Sequence, residues 1–78
     1  MINQGEEILK QLGKRLRELR LARNLTQEEL AAHAGFSRSY YTEIETGKRN
    51  VSIINLYRLS LCLEVDLKEF FNFNSGDN

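Results

Sequence analysis

The chain has 78 residues, no proline, one cysteine and a formal net charge of zero. Its length fits one small domain, residues 1–78, and leaves no room for a second. A lone cysteine cannot form an internal disulfide, and no stretch approaches a signal peptide or the roughly 20 apolar residues of a membrane span, so we expect a cytoplasmic protein.

The first helix is predicted from about Glu6 to Arg23, because apolar residues recur on one of its faces at helical spacing. These residues are Ile8, Leu9, Leu12, Leu16 and Leu19. We expect this face to begin a core that spans about residues 8–71, followed by a polar tail over residues 72–78.

The second helix is predicted from about Gln27 to Ala34. Thr26 followed by Glu29 has the S/T-x-x-E spacing of a capping box, in which each side chain accepts a hydrogen bond from the other residue's backbone. Gly35 then supplies a residue that adopts positive φ without steric cost. The chain is therefore expected to turn sharply after this helix.

The third helix is predicted from about Arg38 to Thr46, with Ser37 as its cap. Tyr41 and Ile44 form an apolar pair that would face the core. The polar side chains able to bond a base edge or a phosphate are Ser37, Arg38, Ser39, Thr42 and Glu43. Two short helices joined by a glycine turn, the second of them polar on its outer face, indicate a helix-turn-helix that reads DNA.

Two more helices complete a set of five. Ser52 is a suitable cap for the fourth, whose apolar stripe consists of Ile53, Leu56, Leu59 and Leu63. Asp66 with Glu69 has the pattern of a second capping box and opens a short fifth helix, predicted from Leu67 to about Phe71.

Several segments in this order resemble the phage repressor/Cro and Xre-type helix-turn-helix proteins over roughly residues 12 to 71. They are GKRLRELR at 13–20, LTQEELA at 25–31, the Gly35 turn and IETGKRN at 44–50. The resemblance implies an all-α, single five-helix domain of the lambda-repressor-like type that binds duplex DNA. Within the family, SRSYYTEIETGKRNVS at 37–52 is most similar to the controller proteins of restriction-modification systems, which are small homodimeric transcription regulators. The alternatives are the DNA-binding antitoxin of a toxin–antitoxin pair and a small phage-type repressor.

Arg38 is the best candidate for base reading, because its fork can bond the O6 and N7 atoms of guanine together. Ser39 and Thr42 are short and can act as donor or acceptor. Glu43 has three open roles, since it can accept from a cytosine amino group, position Arg38 or remain solvated. The loop after the third helix passes a sugar-phosphate strand, so we assign four residues to phosphate binding: Lys48, Arg49, Asn50 and Ser52.

The resemblance implies further roles. Gln27 matches a glutamine that family members place against the DNA backbone, where a helix N-terminus also favours a phosphate. Tyr40 resembles a controller-type tyrosine that touches DNA, although it can also be a partly exposed packing aromatic. Arg20 and Glu45 match an ion pair that fixes the third helix against the first.

Two residues depart from the family pattern. Tyr41 fills a place often held by isoleucine or valine, which predicts a core with extra room or an outward-bent ring, and Leu21 falls where a charged residue is usual, which predicts a small exposed apolar spot.

The charges are unevenly distributed although they cancel. Residues 10–23 contain six basic residues and one acidic residue, whereas residues 59–78 contain four acidic residues and one basic residue. A basic region attracts the phosphate backbone, so we expect the basic side to face DNA and the acidic side to face away from it. The alternative is that the first helix carries an ordinary solvated face.

The C-terminal third has more apolar side chains than a small domain can bury, since a chain of this size buries only about 60% of its unfolded surface. Large exposed apolar patches usually mark interfaces. The residues expected at a homodimer interface are Ile54, Leu61, Val65, Phe70 and Phe73, with Phe71 in the core. Such a dimer would set two reading helices about 34 Å apart on a near-palindromic operator. The alternative is that these residues only close the monomer core.

The chain lacks the residues that catalysis or cofactor binding requires. Its one histidine, His33, and its one cysteine, Cys62, are 29 positions apart and cannot supply a metal cluster, and no glycine-rich phosphate loop or nucleophile motif is present. We interpret His33 as a solvated surface residue and Cys62 as a small core hydrophobe. We therefore expect no enzymatic activity, metal, cofactor or small-molecule effector.

Overall fold

The computed structural model describes residues 4–73, and within this range the chain forms four α-helices and one 3-10 helix without any strand. The helices are α1 (Gln4–Ala22), α2 (Gln27–Ala34), α3 (Arg38–Glu45), α4 (Ile53–Leu63) and the 3-10 helix (Leu67–Phe71). The all-α prediction is thereby confirmed for the described residues. Residues 74–78 of the predicted tail lie outside them.

The predicted fifth helix needs correction, because the segment after α4 is a 3-10 helix. Asp66 makes no side-chain capping hydrogen bond there, so the second capping box predicted with Glu69 does not form. Five residues also provide too few bonds to offset the cost of starting an α-helix, whereas short segments readily take the tighter 3-10 form.

The helix-turn-helix forms with the predicted local bonds. The Thr26 hydroxyl accepts from the Glu29 backbone N–H at 3.0 Å, and the Glu29 carboxylate accepts from the Thr26 N–H at 2.9 Å. Gly35 adopts a φ of 78°, in the left-handed region. Ser37 then caps α3 by accepting from the Tyr40 N–H at 3.1 Å. These bonds hold α2 and α3 at a short, defined turn.

Residues from all five helices form one core, in which α1 packs against α3 and the 3-10 helix while α2 packs against α3 and α4. Its buried apolar members are Leu12, Leu16, Leu30, Ala31, Ala34, Tyr41, Ile44, Leu56, Leu59, Leu63 and Phe70. Ile8 and Ile53, predicted on core faces, are instead exposed. In α1 the buried stripe begins only after two turns, at Leu12, and in α4 it begins at the fourth residue, Leu56.

Phe70 and Phe71 occupy the opposite places from those predicted. Phe70 is fully buried and Phe71 is 44% exposed. A 3-10 helix has three residues per turn, so Leu67 and Phe70 share one face and Phe71 is turned away from it. The prediction that Phe70 is free to contact a second copy is therefore wrong.

Gly13 allows α1 to cross closely over the C-terminal end of α3. A Cβ at this position would lie 2.6 Å from the Ile44 carbonyl oxygen and would also meet the Glu45 carbonyl. Both are backbone atoms, which cannot rotate out of the way. Glycine at this position therefore lets the side chains of α1 reach α3, including Arg20 two turns later.

Candidate nucleic-acid interface

The outer face of α3 is polar and open to solvent. Tyr41, Ile44 and Glu45 are buried and fix which side of the helix faces inward. Arg38 and Ser39 are exposed on the outer side, together with the cap residue Ser37. Because α3 is only eight residues long, its orientation depends on the contacts made by its inner side.

A buried polar network supplies those contacts. Its members, hereafter the Arg20–Glu45 network, are Arg20, Gln27, Tyr41, Thr42 and Glu45. Arg20 donates from Nε to Glu45 Oε2 at 2.7 Å and from Nη2 to Oε1 at 3.2 Å, so the ion pair predicted from the resemblance forms with bidentate geometry. The Tyr41 hydroxyl donates to Oε2, and Gln27 Nε2 donates to Oε1 at 2.9 Å. Both carboxylate oxygens therefore accept two hydrogen bonds.

The network keeps its charges in place. Burial alone raises the pKa of Glu45, but hydrogen bonds from three neighbouring side chains outweigh this effect and leave the pKa below its ordinary value. The hydrogen bond to Glu45 raises the pKa of Arg20. Burial, reinforced by the bond to the carboxylate, raises the pKa of Tyr41 far above its usual range. Glu45 is thus ionised and Tyr41 protonated at neutral pH.

The position of Tyr41 shows how the core accommodates its departure from the family pattern. Its ring is fully buried, so the core accommodates a tyrosine at a place often held by isoleucine or valine. Its hydroxyl meets Glu45 one turn along the same helix. The sequence did contain a signal, since positions 41 and 45 have the i, i+4 spacing of helical neighbours.

Gln27 connects α2 to α3 through its side-chain amide. One end donates to Glu45, and its Oε1 accepts from the Thr42 hydroxyl at 3.2 Å. The amide orientation is therefore set by partners on both sides. Thr42, predicted as a base contact, already uses its hydroxyl proton within the protein.

Tyr40 lies at the junction of α3, α4 and the basic loop over residues 48–50. Its hydroxyl accepts from Asn55 Nδ2 at 3.0 Å, and its ring meets Phe36 edge-on at 5.1 Å between centroids. The Arg49 guanidinium lies 5.4 Å from its ring centroid, at cation–π distance. Its ring is half-buried, as in the packing interpretation, while the residue still borders the polar face.

The basic loop exposes Lys48, Arg49 and Asn50. Arg49 Nε donates to Glu43 Oε1 at 2.7 Å, a partner that the three roles considered for Glu43 did not include. The spacing of six residues matches no helical neighbour, so only the return of the loop toward α3 brings the two together. The Ser52 hydroxyl accepts from the Asn55 N–H at 3.1 Å and caps α4 as predicted.

An exposed apolar surface, hereafter the α4 strip, runs along α4. Its members are Ile53, Ile54, Tyr57 and Leu61. Ile54 and Leu61 were predicted at an interface, whereas Ile53 was predicted in the core and Tyr57 was not predicted at either place. The remaining predicted interface residues differ: Val65 is half-buried against the core, and Phe73 is half-buried beside Phe71, 6.2 Å away between ring centroids.

His33 is exposed and Cys62 is partly buried against the core, where burial raises the pKa of its thiol. Leu21 is exposed on α1. Among residues 4–73, no group of three or more His, Cys, Asp or Glu side chains is arranged to hold a metal ion, and no helix is long and apolar enough to cross a membrane.

Comparisons with known proteins agree with this architecture. Residues 16–70 match the helix-turn-helix family HTH_3. Control protein C.MunI of a Mycoplasma species is 44% identical over 61 residues, covering 77% of this chain and 82% of that protein. Control protein C.BamHI of Bacillus amyloliquefaciens is 37% identical over 67 residues, covering 85% of this chain and 83% of that protein.

The same likeness is seen among solved structures. The crystal structure of the restriction-modification controller protein C.AhdI from Aeromonas hydrophila has a TM-score of 0.79 and 46% sequence identity, covering 81% of this chain and 96% of that one. The resemblance to Xre-type helix-turn-helix proteins, and among them to controller proteins, is thereby confirmed. The chain belongs to the helix-turn-helix family HTH_3.

Proposed function

We propose that the chain is a cytoplasmic, non-enzymatic transcription regulator of the restriction-modification controller type, which binds a near-palindromic duplex operator as a homodimer. The observation that carries the proposal is the outer face of α3, polar and exposed while its inner side is held by the Arg20–Glu45 network. A short helix held this firmly suits insertion into a major groove, where small errors of orientation lose base contacts.

Two groups of residues have different roles in DNA binding, one in base reading and the other in phosphate binding. Arg38 and Ser39 are exposed at the start of α3 and read base edges. Lys48, Arg49 and Asn50 follow α3 in an exposed loop and bind phosphates, which adds affinity for any sequence. The remaining proposed DNA contacts are Gln27, Ser37, Tyr40, Thr42, Glu43 and Ser52. Most of these side chains already make a hydrogen bond within the protein. They therefore contact DNA through the donor or acceptor atoms that are not used in those bonds.

The α4 strip is the proposed contact between two copies. Tyr57 follows Ile53 and Ile54 by four and three residues and Leu61 follows Tyr57 by four, so the exposed side chains lie along one side of a single helix, while the opposite side of α4 is buried in the core. Burying such a surface in an identical one is favourable and closes the assembly. Contact through α4 leaves α3 of each copy free. Phe70 has no part in this interface.

Selection of DNA from a random duplex library by the purified protein tests the proposal. We expect an inverted repeat whose half-sites lie about one helical turn apart, since two-fold protein symmetry is mirrored in the site. No enrichment, or enrichment of a single asymmetric half-site, contradicts it.

Purification from the native host tests the antitoxin alternative. An antitoxin would be purified together with a second protein, its toxin, whereas a controller-type regulator would not. In this proposal, the concentration of the protein and its cooperative binding to the operator set the level of transcription, and no small-molecule effector takes part.

A further inference from the structure

A cleft opens between the second half of α1 and the first residues of α2 and α3. Its volume is about 560 Å³, and it is lined by Arg17, Arg20, Thr26, Gln27, Glu28 and Arg38. Half of the lining residues are arginines, and Glu28 is the one acidic residue among them. Arg17 has no role among the sequence-based predictions beyond its contribution to the basic region of α1.

The three arginines differ in what they are bonded to. Each nitrogen of the Arg20 guanidinium makes one hydrogen bond, two of them to Glu45 and the third, from Nη1, to the Leu25 carbonyl oxygen at 2.7 Å. Arg17 and Arg38 are exposed, and neither side chain makes a hydrogen bond or an ion pair within residues 4–73. Of the other exposed arginines, Arg23 pairs with Glu64 and Arg49 with Glu43, whereas Arg58 on α4 also has no side-chain partner within these residues and lies outside the cleft. The cleft therefore gathers guanidinium groups whose donors are available to an anion.

We propose that this cleft binds one phosphate of the DNA backbone and that Arg17 is its ligand from α1. The inference rests on the proposed function. A guanidinium fork bonds two phosphate oxygens at once, and its charge is compensated by the phosphate. Arg38 forms the opposite part of the lining and is the first residue of the reading helix, so a duplex contacted by α3 passes directly beside the cleft. Arg17 fixes the position of the backbone and does not read sequence.

Replacing one phosphate at a time by an uncharged analogue identifies the phosphate that Arg17 contacts. Methylphosphonate is placed at each backbone position of the selected operator in turn, and affinity is measured for the wild-type protein and for Arg17→Ala. We expect one position per half-site at which methylphosphonate weakens binding by the wild type distinctly more than binding by Arg17→Ala, because the variant has already lost one partner of that phosphate. If every position affects both proteins by the same factor, Arg17 has no phosphate partner and the inference is overturned.

The salt dependence of binding provides a second measurement. Lys14→Ala is the matched control, because Lys14 is an exposed base on the same helix that borders a different groove, with Lys10 and Phe73. Arg17→Ala should lower the slope of log K against log salt by about 0.9 per subunit, or about 1.8 on an operator bound by two copies, so its loss of affinity is about tenfold larger at 50 mM than at 200 mM salt. Lys14→Ala should lower the slope by distinctly less, because we assign Lys14 no defined phosphate. Equal effects of the two substitutions would indicate general attraction only and contradict a defined contact.

The outcomes also separate this inference from the proposed function. If the wild-type protein selects no operator, the proposed function fails. If it selects one and Arg38→Ala loses discrimination while Arg17→Ala behaves as Lys14→Ala, only the cleft assignment fails. Titration with inorganic phosphate, followed by the Arg17 Nε NMR signal, distinguishes the ligand's source. Saturation at micromolar phosphate would indicate a site for a free anion and contradict the backbone assignment, whereas a weak, millimolar response supports it.

Discussion

Two regions of this molecule reverse the ordinary relation between polarity and burial. In the Arg20–Glu45 network two opposite charges are buried, with Arg20 6% and Glu45 9% exposed. In the α4 strip large apolar side chains are open to solvent, with Ile54 67% and Leu61 59% exposed. Buried charge and exposed apolar surface are both unfavourable unless something compensates for them.

The two regions differ in where the compensation comes from. Each network member finds its partners within one chain, and both Glu45 oxygens are fully bonded. The α4 strip finds no cover within residues 4–73. We conclude that the network stabilises the reading helix of a single subunit, whereas the strip requires a second molecule, which in our proposal is another copy of the chain.

Removing one charge of the network should have the largest effect. Arg20→Met or Glu45→Leu alone leaves a buried charge without its partner, so each should lower the free energy of unfolding by about 3–5 kcal/mol. The double substitution should be less destabilising than the sum of the two, because two apolar side chains do not need each other. Chemical denaturation of the four proteins measures the coupling.

The Arg23–Glu64 pair is the matched control for that cycle. Its atoms are 2.9 Å apart, but both side chains are largely exposed, so its coupling should be below about 1 kcal/mol. Strictly additive losses at Arg20 and Glu45 would show that the buried pair contributes no more than this surface pair.

The α4 strip is tested by placing a charge in it. Leu61→Glu should prevent dimer formation and weaken operator binding by about 100-fold or more, since the advantage of binding two linked half-sites is lost. Affinity for an isolated half-site should be unchanged. Leu21→Glu is the control, because Leu21 is also an exposed leucine but lies on α1. A wild-type protein that sediments as a monomer at micromolar concentration, or a Leu61→Glu variant with full operator affinity, excludes this interface.

The outer face of α3 and the basic loop are expected to differ in how they contribute to sequence specificity. Arg38→Ala should cost about 1–3 kcal/mol on the selected operator and relax discrimination at one base position. Arg49→Ala should weaken binding to all sequences nearly alike and lower the salt slope by about one per subunit. Titrations on selected and scrambled duplexes at several salt concentrations compare the two. Full discrimination by Arg38→Ala would remove this residue from base reading.

The smallest expected effect comes from one hydroxyl of the network. Tyr41→Phe removes a donor to Glu45 and should lower the free energy of unfolding by about 1 kcal/mol at neutral pH. Because the pKa of Glu45 is lowered in the folded state, the stability it contributes is present above its unfolded pKa of about 4.3 and is lost as pH falls through the folded value.

The pH dependence of Tyr41→Phe sharpens that test. With one donor fewer, the folded pKa of Glu45 should move closer to its unfolded value, so the variant and the wild type should become more nearly equal in stability as the pH falls below 4. Denaturation at pH 7, 5 and 3 follows the difference. A difference that stays constant with pH would mean that the hydroxyl acts through packing and not through the carboxylate.

Local elements were predictable because their causes lie close together in the chain. The capping residues Thr26 and Ser37 lie within three residues of the backbone groups they bond, and Gly35 determines the turn by its own φ. The α2 boundaries were therefore predicted correctly, and α3 was predicted to within one residue of its C-terminal end. The pairing of Arg20 with Glu45 came from the resemblance, since 25 positions separate them in the sequence.

Packing decided what local patterns left open. The sequence alone determined the helix-turn-helix, its caps and the polar outer face of α3, because these follow from residues a few positions apart. Only the tertiary structure decided that Phe70 is buried instead of Phe71, that Glu43 pairs with Arg49 and that Arg17 lines the same cleft as Arg38. The physical reason is that burial and charge pairing depend on which elements meet, and a periodic pattern identifies a face without identifying the neighbour that covers it.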